Sequence, residues 1–284
     1  MKKRIISGVA MGVIVALVIV FGLSLNNLIL TTFVAIVAAL GVNELVGNAA
    51  KIENVVIRIL SAVYTVAMVF LFSNINENLY RLNLTDYQYL DIDSLISAIV
   101  VSVVYVIICA VLILVRQAEF DLAKIAVVCG MPILYAFAFS TLVSVIIATG
   151  GIYYLLLVLN FACVCDMGAY FVGVSMGKTK LCPEISPNKT VEGALGGVIS
   201  SVIATLVITL CFGYFNKILP AMLITIPLCA VGMIGDLFAS IIKRKVGIKD
   251  YGELIPGHGG ILDRVDSVLF IAPLVYSLLI LGVI

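Results

Sequence analysis

Charged side chains are scarce in this sequence of 284 residues, at 12% of the total, against about 25% in an ordinary soluble domain. Apolar residues make up 63%, where such a domain has about 45–50%. This balance excludes a soluble enzyme, a secreted disulfide scaffold, a disordered chain and a nucleic-acid-binding domain. Taken over the whole chain, the formal net charge of +1 does not suggest a polyanionic partner such as nucleic acid, and the positions of the charges are more informative. The sequence therefore predicts an integral membrane protein.

Residues that bind zinc or carry out nucleophilic catalysis are also few. Histidine occurs once, at His258, and six of the seven cysteines fall within apolar runs. Such cysteines are typical of small buried apolar residues. With one histidine and cysteines spread through apolar runs, no zinc set is expected, and an odd number of cysteines in a membrane chain does not favour a disulfide framework. No Ser-His-Asp or Cys-His set is recognised either.

Long apolar runs follow one another along the chain. A membrane-spanning helix needs about 20 apolar residues. The run after Lys2, Lys3 and Arg4 is longer than the roughly 7–15 apolar residues of a signal peptide, so we interpret it as a first transmembrane helix. The sequence predicts an all-α polytopic membrane protein with about nine transmembrane helices. Their predicted ranges are 5–23, 28–47, 56–73, 95–115, 125–148, 152–171, 193–215, 221–242 and 267–284.

The basic residues favour one orientation of these helices, with the N-terminus in the cytoplasm. The segments near 48–55, 116–124, 172–192 and 243–266 are then inside, and 74–94 is the largest outside loop. Of the 17 Lys and Arg residues, only Arg81 and Lys217 fall outside. This distribution follows the positive-inside rule. We expect a multi-pass protein of the inner, cytoplasmic cell membrane.

The two halves of the chain differ in polarity. Residues 1–124 consist largely of Val, Ile, Leu and Ala, and their connections lack recognisable chemistry. After residue 160, polar residues become dense and cluster at the predicted cytoplasmic ends of helices. We therefore predict a transmembrane scaffold over 1–124 and a catalytic region over 125–284, with an active site that faces the cytoplasm.

One cytoplasmic segment has features of a phosphate-binding site. The run 173–179 is similar to a P-loop, but it has three residues between its glycines instead of four and follows a membrane helix, so we reject that motif. Downstream, the Pro-x-x-Thr-x-Glu pattern from Pro187 indicates a helix start. Lys189 is then expected near backbone N–H groups that favour anions. Ordinary positive-inside residues with a helix cap would give the same pattern.

Glycines begin the seventh predicted span. Gly193 and Gly197 form a small-xxx-small pair, with Gly196 beside them. This spacing is typical of close contact between helices. It predicts either packing within the chain or the contact of a homodimer.

Two carboxylates interrupt the apolar spans, Asp166 and Asp236. A carboxylate at the centre of a membrane helix costs about 2.5–3.5 kcal/mol, so such a residue normally faces a polar cavity and has a partner. Asp236 precedes Lys243 by seven residues, about 10 Å along a helix. We expect Asp236 to line a cavity beneath the cytoplasmic surface, and a structural ion pair is the alternative.

The densest polar constellation spans residues 240–266. Glycines in it, including Gly259 and Gly260, let the backbone approach a ligand closely. Asp263 and Asp266 follow at i and i+3, which places them on one helix face. Carboxylates with few neutral ligands suit Mg²⁺, and neighbouring Lys and Arg suit phosphates. Anionic lipid headgroups would explain the basic residues, but not the glycines and carboxylates.

This run resembles the signature of phosphatidate cytidylyltransferases, also called CDP-diacylglycerol synthases, S-x-x-K-R-x4-K-D-x-G-x2-[LIF]-P-x-H-G-G-x-x-D-R-x-D. Every fixed position is met, at Ser240, Lys243, Arg244, Lys249, Asp250, Gly252, Ile255, Pro256, His258, Gly259, Gly260, Asp263, Arg264 and Asp266. Further resemblance lies at Asp166, Ala169-Tyr170, Gly173, Gly177-Lys178, Ser186-Pro187, Lys189-Thr190, Glu192-Gly193 and Gly235-Asp236. The chain departs from the family at Asn188, Val191, Met167 and Ala239, where Lys, Trp, Thr and Glu are common.

The resemblance implies that CTP and phosphatidate in the bilayer react to CDP-diacylglycerol and pyrophosphate, assisted by Mg²⁺. Its catalytic residues would be Asp236, Asp263, Asp266, Lys243 and Arg264. Metal ligands would come from Asp236, Asp263 and Asp266, with Asp166 as a further candidate. Substrate contacts would come from Lys178, Ser186, Lys189, Arg244, Lys249, His258, Gly259 and Gly260. The role of His258 is open: it would either contact a phosphate or support the turn formed by the neighbouring glycines, Gly257, Gly259 and Gly260, which we call the glycine turn.

Other functions fit parts of the same pattern. A secondary transporter also has intramembrane carboxylates, but its polar residues should occur in both halves near the midplane. A CTP-using lipid kinase or a CDP-archaeol synthase of a related family is the nearer alternative. A CDP-alcohol phosphotransferase is disfavoured because its D-G-x2-A-R run is absent.

Overall fold

The computed structural model is built almost entirely of helices, which confirms the predicted all-α fold class. It describes residues 2–24, 26–84, 92–116, 120–254 and 259–284, without the side chains of 2–11 and 78–84. The α-helices are α1 (Lys2–Ser24), α2 (Asn27–Glu44), α3 (Val55–Leu84), α4 (Ile92–Val115), α5 (Leu122–Ile147), α6 (Gly151–Leu159), α7 (Cys165–Met176), α8 (Val191–Cys211), α9 (Ile218–Val246) and α10 (Leu262–Ile280). Two π-helical turns extend them, Leu45–Ala49 after α2 and Asn160–Val164 between α6 and α7.

Seven stretches of the described residues are long and apolar enough to cross a membrane. They are Asn27–Ala49, Val55–Glu77, Ile92–Val115, Leu122–Ile147, Gly151–Met176, Val191–Cys211 and Phe215–Val246. Each corresponds to a predicted span, as expected for a chain whose backbone must be satisfied inside lipid. The other two predicted spans fall on α1 and α10, both of which are helical. The described apolar part of α1, Gly12–Ser24, is short, and the first turns of α10 are charged, so the total of nine and the orientation stay predictions.

Helix α3 is longer than predicted. It continues to Leu84 and has 30 residues, about 45 Å at 1.5 Å per residue, whereas the hydrocarbon core is about 30 Å thick. The predicted outside loop 74–94 therefore begins as a continuation of this helix, because polar residues do not by themselves end one. Residues 85–91 of that loop lie outside the described residues.

Packing divides the chain into two units, and each is described separately. The first comprises Met1–Ile147 with Val246–Arg264, and the second comprises Ala148–Lys245 with Val265–Ile284. Helix α5 packs against α2 and α3, and the described parts of the signature loop, 246–254 and 259–264, belong to the first unit. The predicted division at residue 124 into a scaffold and a catalytic region stays a prediction.

The core of the first unit combines apolar packing with hydrogen bonds between helices. Ser61 on α3 lies 2.9 Å from the hydroxyl of Tyr105 on α4, and that hydroxyl donates to the carbonyl of Val128 on α5 at 2.6 Å. Tyr64 stacks on Tyr105 with ring centroids 4.0 Å apart. These bonds satisfy polar groups that apolar surroundings would otherwise penalise.

In the second unit, small residues bring α7 and α8 into close contact. A Cβ atom added to Gly197 would lie 2.6 Å from the carbonyl oxygen of Cys165, and one added to Gly193 would lie 2.7 Å from that of Ala169. A Cβ at Gly196 would overlap Val172. The small-xxx-small pair therefore serves packing within the chain, as glycines do where membrane helices approach closely. A homodimer stays a prediction.

A buried polar cluster joins the π-helical turn to α8 and α9. The amide nitrogen of Asn160 donates to the carbonyl of Ser201 at 3.0 Å and to the hydroxyl of Thr205 at 2.9 Å. Thr205 lies 2.8 Å from the hydroxyl of Thr225, and all four residues are buried. Because the π turn is followed directly by α7, this cluster fixes the start of the helix that carries Asp166.

Candidate active site

A short hairpin and the start of α8 fix the segment around Lys189. Strands β1 (Lys180–Cys182) and β2 (Ser186–Thr190) pair antiparallel. The Thr190 hydroxyl caps α8 by accepting from the backbone N–H of Gly193 at 3.1 Å. The predicted helix start is thus confirmed with Thr190 as its cap, while Lys189 lies on a strand.

The Glu192 carboxylate holds the preceding turn against this helix start. It accepts hydrogen bonds from the backbone N–H groups of Lys178 and Thr179, both at 3.1 Å. The N–H of Val191 donates in turn to the Thr179 carbonyl at 2.9 Å. Hydrogen bonds therefore hold both ends of the segment between α7 and α8, which fixes the position of β2.

Next to β2 lies a cavity of about 220 Å³. Both carboxylates predicted to face a cavity, Asp166 and Asp236, line it together with Lys189. The remaining lining residues include aromatic, amide and small side chains. They are Ala169, Tyr170, Leu181, Asn188, Thr190, Gly193, Ala194 and Met233.

The charged side chains of the cavity contact one another. The ammonium group of Lys189 forms an ion pair with the carboxylate of Asp236, and both side chains are about one quarter exposed. Asp166 interacts electrostatically with both of them. Lys189 thus lies close to two carboxylates, so its side chain is held in a fixed place and its charge is largely balanced.

A third carboxylate extends this cluster. Asp266, half-buried in the first turns of α10, interacts electrostatically with Asp236, Asp166 and Lys243. The cluster therefore contains three carboxylates and two lysines. Like charges in a partly desolvated position repel one another, so a cation bound among these carboxylates would relieve their repulsion. We call Asp166, Lys189, Asp236, Lys243 and Asp266 the charged cluster.

The glycine turn of the signature is organised by Asp263, in the first unit. One carboxylate oxygen of Asp263 accepts from the backbone N–H of Tyr251 at 2.8 Å and from that of Gly260 at 3.0 Å. Gly259 has a φ of 87°, a left-handed conformation that favours glycine. The side chain predicted to bind a metal therefore also closes this turn.

A residue that the sequence interpretation missed supports the same turn. Glu44, at the end of α2, accepts from the backbone N–H groups of Ile261 and Leu262. Asn48 on the following π turn donates to the Tyr251 carbonyl at 2.6 Å. The available signal was that Glu44 is the one charged residue in the predicted span 28–47.

The structure does not gather all predicted substrate-binding residues at the cavity. Neither Lys178 nor Ser186 lines the cavity. Ser186 lies at the other end of β2, where it pairs with Cys182 in the hairpin. The side chains of Arg244, Lys249 and Arg264 are exposed. His258 lies outside the described residues. The substrate roles of all these residues stay predictions.

The carboxylates of the charged cluster suit Mg²⁺ in number and type. Among the described side chains, no three of His, Cys, Asp or Glu are placed to hold one ion between them. Mg²⁺, however, keeps several waters and usually binds one or two carboxylates together with substrate phosphates. Asp166 and Asp236 at the cavity meet that requirement. The metal roles of Asp166, Asp236, Asp263 and Asp266 stay predictions.

Comparison with known proteins identifies the family. A family model described as "Cytidylyltransferase family" matches residues 2–281. The chain belongs to this family. The match includes the first half, where the sequence alone showed only hydrophobicity.

Several curated relatives are similar to this family member. A phosphatidate cytidylyltransferase of Bacillus subtilis (strain 168) is 49% identical over 125 residues, 43% of this chain and 46% of the relative. One from Staphylococcus haemolyticus (strain JCSC1435) is 42% identical over 164 residues, 58% of this chain and 60% of the relative. One from Staphylococcus aureus (strain COL) is 47% identical over 131 residues. The chain spans about half the length of the curated relatives it matches.

Proposed function

We propose that the protein is a phosphatidate cytidylyltransferase, which converts CTP and phosphatidate to CDP-diacylglycerol and pyrophosphate. The family and the curated relatives support the reaction class. The observation that carries the assignment to a site is the ion pair of Lys189 and Asp236 in a cavity that Asp166 also lines. These are residues on which the resemblance to the family rests.

The substrate supplies its own nucleophile. The second pKa of a phosphate monoester is about 6, so phosphatidate is largely dianionic at pH 7. One of its oxygens attacks the α-phosphorus of CTP and forms a new P–O bond. The bond from that phosphorus to the oxygen bridging to the β-phosphate breaks, and pyrophosphate leaves with its electron pair. No side chain has to remove a proton, consistent with a sequence that lacks a Ser-His-Asp set.

The work left to the protein is to bring two polyanions together and to stabilise the charge of the transition state. Lys189 and Lys243 carry the positive charges of the charged cluster and would contact phosphate oxygens. Asp166, Asp236 and Asp266 would hold Mg²⁺, directly or through water. The ion would neutralise charge on the α-phosphoryl group and on pyrophosphate. Asp236 would also keep the Lys189 ammonium oriented before substrate binds.

The proposed reaction takes place at the cytoplasmic face of the cell membrane. CTP is soluble, and the basic residues concentrate on the predicted inside segments. The acyl chains of phosphatidate stay in the bilayer, since moving them into water would cost about 0.8 kcal/mol per CH₂. Apolar side chains on α7, such as Phe171 and Val174, are exposed on its surface, as expected for a helix in contact with lipid.

The test is incubation of purified protein with cytidine-labelled CTP, phosphatidate and Mg²⁺. We expect label in the lipid fraction and one pyrophosphate for each labelled lipid. A lipid kinase would instead leave the label in soluble CDP, and label incorporated only with an archaeol-type phosphate would identify the related synthase. Either result, or no turnover, would contradict the proposal.

A pair of lysine variants tests the assignment to the cavity. Lys189→Met should lower turnover by at least about 10²-fold, since charge stabilisation in the transition state is worth several kcal/mol. Lys217→Met is the matched control, because Lys217 is in the same unit but contacts Tyr154 and Tyr214 away from the cavity. Equal turnover of the two variants would show that the cavity is not the site.

A further inference from the structure

A buried carboxylate from the N-terminal half binds the backbone at the start of α10. Glu44 is 7% exposed. Its Oε1 atom accepts from the N–H of Ile261 at 3.1 Å, and its Oε2 atom accepts from the N–H of Leu262 at 3.0 Å. These donors belong to a helix end that has no intrahelical acceptors for them. A carboxylate is also favoured there by the helix dipole.

Two glycines of the signature lie in contact with this carboxylate. A Cβ atom added to Gly252 or to Gly260 would overlap the side chain of Glu44. The loop therefore contacts Glu44 directly at both positions. This contact accounts for glycine there without the presence of a ligand. Asn48, one turn further on, holds the loop through the Tyr251 carbonyl, and Asp263 closes it from within.

We propose that Glu44 is a positioning residue, which holds the glycine turn and the start of α10 in the geometry needed for nucleotidyl transfer. It acts through Asp263, Gly259 and Gly260 and does not itself touch substrate. The proposal rests on the proposed function, because α10, whose start Glu44 holds, carries Asp266, which is assigned there to Mg²⁺. It also gives α2 a role beyond that of a scaffold helix.

The chemistry of the contact requires two acceptors. A carboxylate presents an oxygen to each of the two consecutive N–H groups. The amide of glutamine would present one oxygen and one NH₂ group, so that one buried backbone donor would face another donor. A buried donor without an acceptor is unfavourable, and the loop would move to relieve it. Aspartate keeps the charge and both oxygens on a shorter side chain.

The experiment compares Glu44→Gln and Glu44→Asp by amide hydrogen exchange and by turnover in the full-length protein. In Glu44→Gln we expect the amides of Ile261 and Leu262 to exchange at least about 10-fold faster. Turnover should fall by at least about 10-fold, because small displacements of catalytic geometry are costly. Glu44→Asp should retain more protection and more turnover than Glu44→Gln, although glutamine is closer in size.

Two control variants separate positioning from loss of stability. Ser61→Ala removes a buried hydrogen bond between α3 and α4 in the same unit, and Glu53→Gln neutralises an exposed acidic side chain nearby. Both should keep loop exchange and turnover within about twofold of the wild type. A loss of turnover in Ser61→Ala equal to that in Glu44→Gln would overturn the proposal.

Other outcomes are equally decisive. Near-normal exchange and turnover in Glu44→Gln would show that the two acceptors are not required. Lost turnover with unchanged exchange would show that Glu44 acts elsewhere than on this loop. If the wild type forms no labelled lipid, the proposed function fails, and the exchange data still decide whether Glu44 holds the loop.

Discussion

Removal of Lys189 should destabilise the protein more than removal of its partner's charge. In Lys189→Met, the carboxylates of Asp166 and Asp236 lose the ammonium group beside them, and both still face the carboxylate of Asp266. In Asp236→Asn, Lys189 keeps its electrostatic interaction with Asp166. The two variants break the same ion pair, so the difference between them measures the excess of negative charge in the cluster.

The size of the effect follows from the exposure of the pair. Exposed ion pairs contribute about 0–1 kcal/mol, whereas removal of one partner from a buried pair costs about 3–5 kcal/mol. The side chains of Lys189 and Asp236 are 25% and 26% exposed. We therefore expect a loss of about 2 kcal/mol for Lys189→Met and about 1 kcal/mol for Asp236→Asn. The larger loss corresponds to a decrease in Tm of about 4–8 °C.

The assay is thermal unfolding of detergent-solubilised protein with and without MgCl₂. A ligand present at ten times its Kd stabilises the folded state by about 1.4 kcal/mol. Because Lys189→Met removes the ammonium group beside Asp166 and Asp236, Mg²⁺ should raise its Tm more than that of the wild type. Lys217→Met should show no such gain. Equal destabilisation of the Lys189 and Asp236 variants, with no extra effect of Mg²⁺, would refute the reasoning.

Three further predictions concern topology, mechanism and the signature. Single cysteines at Asn78 and Asn188 in a cysteine-free background should react with an impermeant thiol reagent from opposite sides; reaction from one side would contradict the nine-span topology. Labelled CTP without phosphatidate should leave no cytidylyl group on the protein, and a stable adduct would require a side-chain nucleophile. Asp263→Asn keeps an oxygen that can accept the loop N–H groups but removes the charge, so turnover should fall at least about 10²-fold. The turnover of the control variant Asp93→Asn should stay within about twofold of the wild type. Equal turnover of the Asp263 and Asp93 variants would show that Asp263 has only a structural role.

Much of the architecture could be predicted because the bilayer imposes simple requirements on a sequence. A backbone in hydrocarbon must satisfy its own hydrogen bonds, so apolar runs of about 20 residues form helices. Seven predicted spans are confirmed as helices long and apolar enough to cross a membrane. A local pattern from Pro187 to Glu192 also predicted a helix start, and α8 begins within it at Val191, capped by the Thr190 side chain. The interpretation of Asp166 and Asp236 as cavity residues followed from the cost of an intramembrane carboxylate.

Only the tertiary structure decided which distant residues meet. Lys189 pairs with Asp236 across 47 positions of sequence, and composition fixes only that each needs some partner. Glu44 lies 217 residues before Ile261, in a half of the chain where the sequence predicted only a scaffold and the single charge in its span does not tell which partner it meets. The role of Glu44 depends on contact between its carboxylate and backbone N–H groups at a helix start. Every helix start has such groups, so the sequence alone does not show which one Glu44 contacts. The sequence determined that the chain forms membrane-spanning helices and which residues carry charge. Packing then selected one partner among many equivalent ones, because only the folded chain brings Glu44 on α2 to the signature loop and Lys189 on β2 to Asp236 on α9.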